Sequence, residues 1–168
     1  NNYFVLPYMV NAVIDHAKPN MTHLVDCYCG SGLFAISSSD HFETIVGIEI
    51  NDQAVQEAIN NARANNVTNC EFRAASAEAI FADIQDYPKG TTAVVLDPPR
   101  KGCSPEFLEQ LYDFAPQRIV YISCDPTTQA RDAAGIVQHG YSISFIQPFD
   151  LFPQTRHIES LIVFERTT

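Results

Sequence analysis

The sequence has 168 residues, of which 46% are hydrophobic and 18% are charged. This length suits one domain with a substantial core, and the composition excludes a disordered chain. No apolar run reaches the ~18 residues that a membrane-spanning helix needs. Ten basic and twenty acidic side chains give a net charge of −10, so the chain lacks the basic face of domains that bind nucleic acid unaided.

The predicted elements alternate between short β-branched runs and longer segments with helical spacing. In chain order they are a helix at 7–17, strands at 23–28 and 44–50, a helix at 52–65, a strand at 70–74, a helix at 76–84, a strand at 91–96, a helix at 105–114, a strand at 118–123, a helix at 126–139, and strands at 141–146 and 158–164. The predicted N-caps are Asp52, Ser76, Ser104 and Asp125.

Strands that alternate with helices form right-handed crossovers and a parallel sheet. The last two strands have no helix between them, so we expect an antiparallel strand at the end. The sequence has no internal repeat and no domain boundary. It therefore predicts a single α/β domain over residues 1–168, with a Rossmann-like sheet of seven mostly parallel strands and helices on both faces.

Five cysteines, at positions 27, 29, 70, 103 and 124, show no repeated spacing. A disulfide framework would have a regular spacing, and a zinc site would have clustered Cys or His ligands. We therefore expect reduced thiols, no metal site and an intracellular protein. Cytoplasm, nucleus and mitochondrion all stay open.

Ligands of open α/β sheets bind at the carboxyl ends of the strands. After the first strand, Gly30 and Gly32 allow the backbone to approach a ligand at a helix N-terminus, although such a pair also occurs in ordinary tight turns. Glu49 lies 19 residues beyond Gly30 and can accept hydrogen bonds from both hydroxyls of a ribose. Together these residues favour a cofactor that contains a nucleoside, either NAD or S-adenosylmethionine.

The fourth strand is followed by Asp97, two prolines and Arg100. Because prolines lack a backbone N–H, Asp97 and the carbonyls are left as acceptors that suit a planar group carrying donors. The prolines could also simply end the strand.

Two further candidates lie at the ends of later strands. Cys124 precedes a helix N-terminus, which favours a thiolate, although Asp125 opposes this effect and many free cysteines are only structural. Glu159 begins the last, apolar strand, where burial would raise its pKa and suit it as a base; it could equally face water. His157 shares its face, as either a positioning or a surface residue.

Five segments together resemble the RNA uracil-5-methyltransferases, which make 5-methyluridine with S-adenosylmethionine. They are residues 26–34 (DCYCGSGLF), 47–51 (GIEIN), 97–102 (DPPRKG), 123–126 (SCDP) and 149–159 (FDLFPQTRHIE). They occur in the family's order over almost the whole chain, and the sequence looks most similar to the tRNA enzymes that modify the T-loop uridine. The resemblance implies a class I S-adenosylmethionine-dependent methyltransferase fold.

The resemblance also implies roles for individual residues. Cys124 matches the family's nucleophile and Glu159 its base, while Tyr28, Glu49 and Asp97 match positions that bind the cofactor or organise the site, beside Gly30 and Gly32. A cofactor-binding Gln and the RNA-binding region of the family would precede Asn1. We therefore expect a C-terminal catalytic fragment whose partner in the full-length protein is RNA, in particular tRNA, and not a membrane.

Two alternatives stay open. An amino-methyltransferase would use Asp97 and the prolines to hold an exocyclic amine, and it would need neither the thiolate nor the base that carbon-5 methylation requires. An isolated cofactor-binding domain would be inactive without its RNA-binding region, in keeping with the charge of −10. An NAD-dependent oxidoreductase is disfavoured because no segment resembles a hydride-handling site.

Overall fold

The computed structural model describes residues 2–75, 79–81 and 84–167. The strands are β1 (His23–Cys27), β2 (Thr44–Glu49), β3 (Cys70–Ala74), β4 (Thr92–Leu96), β5 (Arg118–Ser123), β6 (Tyr141–Phe149) and β7 (Glu159–Arg166). The α-helices are α1 (Leu6–Ala17), α2 (Leu33–Ser37), α3 (Asp52–Ala64), α4 (Pro105–Phe114) and α5 (Pro126–Gln138). Short 3₁₀ helices cover Ser39–His41 and Lys89–Thr91.

One seven-stranded sheet has the order β3-β2-β1-β4-β5-β7-β6. The strands β1 to β5 pair in parallel, and β7 is antiparallel to both β5 and β6. The expected mostly parallel sheet with an antiparallel closing strand is thus confirmed. The apolar strand β7 takes the inner position, whereas β6, with many exposed side chains, forms the edge, where Pro148 is tolerated.

The two faces of the sheet carry separate hydrophobic clusters because side chains alternate along each strand. Leu24 of β1 packs in one cluster with α1 and α3, and Val25 packs in the other with α4 and α5. The prediction of helices on both faces is therefore confirmed. Both clusters leave the carboxyl ends of the parallel strands free to carry polar groups.

Some local predictions are wrong or incomplete. Asn51, not Asp52, caps α3, since the Asn51 side chain accepts the N–H groups of Gln53 and Ala54. Helix α2 has only five residues, which is too few to give a periodic signal. The predicted helix at 76–84, with its cap Ser76, falls largely on residues outside those described. In the described ranges, no helix is long and apolar enough to cross a membrane.

Candidate active site

A pocket of about 480 Å³ opens at the carboxyl ends of β1, β2 and β4. Three of the residues predicted to bind a cofactor, Tyr28, Glu49 and Asp97, line it. Its other lining residues are Ile48, Ile50, Ala75, Ile80, Pro98, Pro99, Lys101, Gly102 and Ser104. Apolar walls with a few convergent polar groups are typical of a small-molecule site.

Glu49 fixes the turn after β1. Its carboxylate accepts the N–H of Gly30 at 3.2 Å and the N–H groups of Ile50 and Asn51 at 2.9 and 3.0 Å. The turn passes through left-handed backbone at Tyr28 (φ 62°) and at Gly30 (φ 52°). Such a conformation is costly for a residue with a Cβ, so strain at Tyr28 marks this turn as a constrained part of the pocket.

Gly32 has a different reason to be glycine. It has a φ of 92°, and a Cβ there would lie 2.9 Å from Cδ1 of Ile36 and 3.1 Å from the Phe72 ring. Gly32 also caps the start of α2. The two glycines thus form the predicted turn. Neither of them is among the described residues that line the pocket.

Asp26 is a buried carboxyl group to which the sequence reasoning gives no role. Its Oδ2 accepts the N–H of Ala35 at 2.9 Å, while Oδ1 has no hydrogen-bond partner among the described residues. Burial raises the pKa of Asp26 to about 8, and the charges of Asp97 and Glu49 act in the same direction. An acidic residue inside an otherwise apolar strand was the available signal, because such a group is rarely buried without a partner.

Asp97 lies at the mouth of the pocket, with one side open to solvent. Enough protein surrounds its carboxylate for the loss of hydration to raise the pKa of Asp97 to about 7, with a smaller contribution from the charge of Glu159. Glu49 and Asp97 are thus two acidic side chains that line the pocket, and the charge of each raises the pKa of the buried Asp26. These two carboxylates fit a ligand that carries positive charge, such as the sulfonium and ammonium of S-adenosylmethionine.

Cys124 directly follows β5, and Glu159 is the first residue of the neighbouring strand β7. Ser123 of β5 pairs with Ser160 of β7 in an antiparallel ladder, so the residues that follow and precede them face one another. Burial raises the pKa of the Cys124 thiol, and the negative charge of Glu159 raises it further. The lowering expected from the helix N-terminus is therefore outweighed at Cys124.

Arg100 opposes these shifts. Its guanidinium lowers the pKa of Cys124 through a hydrogen bond and through its charge. Burial raises the pKa of Glu159, and the charge of Arg100 opposes that rise. Sequence reasoning assigned no site role to Arg100, because its proximity to Cys124 and Glu159 depends on contacts between distant segments.

The remaining candidates are easily placed. His157 is half-buried beside Arg100. All five cysteines are free thiols, and Cys27, Cys29 and Cys103 are buried. Within the part of the chain that the structure describes, no group of three or more His, Cys, Asp or Glu residues could hold a metal ion.

Solved structures define the class of this fold. The Pyrococcus abyssi tRNA (uracil-54, C5)-methyltransferase, solved in complex with S-adenosyl-L-homocysteine, has a TM-score of 0.81 and 32% identity, over 98% of this chain and 38% of that chain. An rRNA methylase from Streptococcus thermophilus has a TM-score of 0.74 at 11% identity, over 98% of this chain and 97% of that one, a likeness of fold alone. The domain therefore has the class I S-adenosylmethionine-dependent methyltransferase fold.

The sequence profile of the family described as tRNA (uracil-5-)-methyltransferase matches residues 1–167. The chain belongs to this family, and the resemblance noted from its motifs is confirmed. The tRNA (uracil(54)-C(5))-methyltransferase of Schizosaccharomyces pombe is 45% identical over 156 residues, which cover 90% of this chain and 29% of that protein. Its Saccharomyces cerevisiae counterpart is 43% identical over 178 residues, covering 99% and 28%. The chain thus spans less than a third of these two relatives.

Proposed function

We propose that this chain is the catalytic part of an enzyme that methylates carbon 5 of a uridine in tRNA with S-adenosylmethionine. The observation that carries the proposal is the placement of Cys124 beside Glu159 at the edge of the sheet where the pocket opens. Family membership supports the same reaction. Because the named yeast and archaeal relatives act on uracil 54, the uridine at that position is the first substrate to test.

The residues present fit the cofactor. Tyr28, Glu49 and Asp97 would hold it, with Glu49 kept in place by the backbone N–H of Gly30 and by those of Ile50 and Asn51. The carboxylates of Glu49 and Asp97, set against the ammonium of Lys101 in the pocket lining, support a cationic ligand over one that carries several phosphates, since those would meet like charge. When bound, S-adenosylmethionine supplies an electrophilic methyl group.

Carbon 5 of uracil is too weak a nucleophile to take a methyl group unaided. In the proposed mechanism the Cys124 thiolate adds to carbon 6, and the electrons of the 5,6 double bond move towards the carbonyl at carbon 4. Carbon 5 then has enolate character and would attack the methyl carbon, whose bond to the sulfonium sulfur would break to release S-adenosyl-L-homocysteine. Arg100 supports the first step because its positive charge lowers the pKa of Cys124.

Glu159 completes the reaction as the base. Its carboxylate takes the proton from carbon 5, and the electrons of that C–H bond restore the 5,6 double bond. The bond between carbon 6 and the sulfur breaks, and Cys124 leaves as a thiolate. Burial raises the pKa of Glu159, which strengthens it as a proton acceptor.

RNA recognition is proposed to depend on other parts of the protein. The chain has a net charge of −10, whereas affinity for nucleic acid comes largely from phosphate contacts. The amino-methyltransferase alternative uses Asp97 and the prolines without Cys124. A covalent adduct between Cys124 and the base separates these two reactions.

The test traps the adduct on a T-arm RNA that carries 5-fluorouridine at the target position, with S-adenosylmethionine and the full-length protein. Because a base cannot remove fluorine from carbon 5 as it removes a proton, we expect a denaturant-stable complex. Cys124→Ser should abolish the complex, whereas Cys70→Ser, at a partly exposed thiol away from the pocket, should retain it.

Two outcomes would contradict the proposal. One is normal methylation of the unmodified RNA by Cys124→Ala, which would favour the amino-methyltransferase. The other is a full-length protein that methylates the RNA at carbon 5 and yet forms no adduct. A parallel experiment with residues 1–168 alone measures how much RNA recognition this domain carries.

A further inference from the structure

Asp132 is a buried carboxylate on α5 that the proposed reaction does not use. Its side chain has no exposed surface. Oδ2 accepts the backbone N–H of Cys103 at 2.8 Å and the hydroxyl of Tyr121 at 2.8 Å. Oδ1 accepts two hydrogen bonds from Arg131, at 2.9 and 2.7 Å. A buried carboxylate with this many partners fixes whatever it binds.

Arg131 binds the backbone on both sides of Gly102. Its Nη2 donates to the carbonyl of Lys101 at 3.0 Å and to that of Cys103 at 3.3 Å. One helical turn earlier, the Thr128 hydroxyl donates to the carbonyl of Arg100 at 2.9 Å. Residues of α5 therefore bind the backbone of residues 100–103, which we call the pocket-wall segment.

The pocket-wall segment approaches the ion pair closely. Gly102 has a φ of 77°, and a Cβ there would lie 2.6 Å from both Arg131 Nη2 and Asp132 Oδ2. Lys101 and Gly102 are themselves lining residues of the pocket. A shift of this segment would therefore change the shape of the pocket.

The hydrogen bonds around Asp132 also extend to Tyr28, another residue that lines the pocket. The Cys103 thiol lies 3.9 Å from the Tyr121 hydroxyl, and a hydrogen bond also links Cys103 to Tyr28. Tyr28 lines the pocket and packs on Phe107, with ring centroids 5.1 Å apart. Through Cys103, Asp132 is thus connected to Gly102 and to Tyr28, which both line the pocket.

We propose that Asp132, oriented by Arg131, is a positioning residue that holds the pocket-wall segment in the geometry that binds the cofactor. It acts through Lys101, Gly102 and Cys103 and does not touch the ligand. This inference deepens the proposed function, since it takes S-adenosylmethionine as the occupant of the pocket. Within the loop, Gly102 N–H donates to the carbonyl of Pro99 at 2.8 Å, and α5 supplies the side-chain hydrogen bonds that tie the segment to the rest of the domain.

The experiment measures binding of S-adenosyl-L-homocysteine to the full-length protein by titration calorimetry, together with unfolding by urea. We expect Asp132→Asn to raise the Kd several-fold, because the neutral amide would hold the Cys103 N–H and Arg131 less tightly than the carboxylate does. Arg131→Met should raise it less, since Asp132 keeps its hydrogen bonds from Cys103 and Tyr121. This variant leaves Oδ1 of the buried Asp132 without its partner, and the urea unfolding measures the stability that is lost. The KM for S-adenosylmethionine should rise more than kcat falls.

The matched control is Glu165→Gln, which weakens the ion pair of Glu165 with Arg118, where Nε and Oε1 are 2.6 Å apart, at the opposite ends of β5 and β7. It should reduce stability without changing the Kd. An unchanged Kd in both Asp132→Asn and Arg131→Met, or an equal rise in Glu165→Gln, would overturn the proposal. If the wild type binds the ligand but methylates no uridine, the proposed function fails, and the Kd values still decide the role of Asp132.

Discussion

The guanidinium of Arg100 lies 3.4 Å from Nδ1 of His157, although 57 residues separate them in the chain. This contact joins the segment after β4 to the segment before β7. Arg100 thereby stands where its charge lowers the pKa of both Cys124 and Glu159. The two candidate catalytic groups, which both lose hydration through burial, thus share one compensating cation.

Replacing Arg100 by Met should make Cys124 less reactive. The pKa of Cys124 would rise, so the thiolate fraction at any pH near 8 would fall, and alkylation by iodoacetamide would slow several-fold. The rate at Cys124 can be followed by mass spectrometry between pH 7 and 10. Arg156→Met removes an exposed charge from the loop before His157 and should leave the rate unchanged; identical profiles for Arg100→Met and the wild type would contradict the role of Arg100.

Gly102 and Gly140 allow the cost of backbone strain to be separated from the cost of a steric clash when a glycine is replaced by alanine. Both have positive φ, 77° and 91°, so alanine at either costs about 1–2 kcal/mol in backbone strain. A Cβ at Gly140 meets no atom within 4 Å, whereas one at Gly102 collides with Arg131 and Asp132. Gly102→Ala should therefore destabilise more than Gly140→Ala in urea unfolding and should alone weaken cofactor binding. Equal losses of stability in the two variants would mean that the added Cβ at residue 102 meets no steric clash with Arg131 and Asp132.

Periodicity and capping patterns were enough to predict the sheet and most helices. Ser104 followed by Pro105 marks the start of α4, where the Ser104 hydroxyl accepts the N–H of Phe107. The motif residues Tyr28, Glu49 and Asp97 could be placed at one edge because parallel strands end together. These features depend on local sequence and on a general rule of topology.

Other features depend on contacts that no local pattern reveals. Two such contacts join separate segments of the chain: Arg100 lies beside His157, and Asp132 accepts the N–H of Cys103. Whether the pKa of Cys124 is raised or lowered also depends on the competition between burial, the charge of Glu159 and the charge of Arg100. Each of these outcomes requires the three-dimensional arrangement.

The cap of α3 shows how neighbouring polar residues compete. Asn51 has extended backbone and accepts the N–H groups of Gln53 and Ala54 at 2.9 and 3.2 Å, while Asp52 is already helical. Asn51→Ala should cost about 1 kcal/mol in the free energy of unfolding. Asp52→Ala should cost less, since only the favourable charge in the first turn is lost. If urea unfolding showed a larger loss of stability for Asp52→Ala than for Asn51→Ala, Asp52 would be the cap.

Stability should fall as the pH rises, because of Asp26. Burial raises its pKa from 3.8 to about 8, so between these values the native state keeps a proton that the unfolded chain has lost, and unfolding becomes easier with increasing pH. Asp97, with a pKa of about 7, acts in the same direction. Urea unfolding at pH 5.5 and 8.5 should show this loss in the wild type and a smaller one in Asp26→Asn, in which the new amide oxygen can still accept the N–H of Ala35. A wild type that is more stable at pH 8.5, or an unchanged slope in Asp26→Asn, would mean that Asp26 is ionised in the native state.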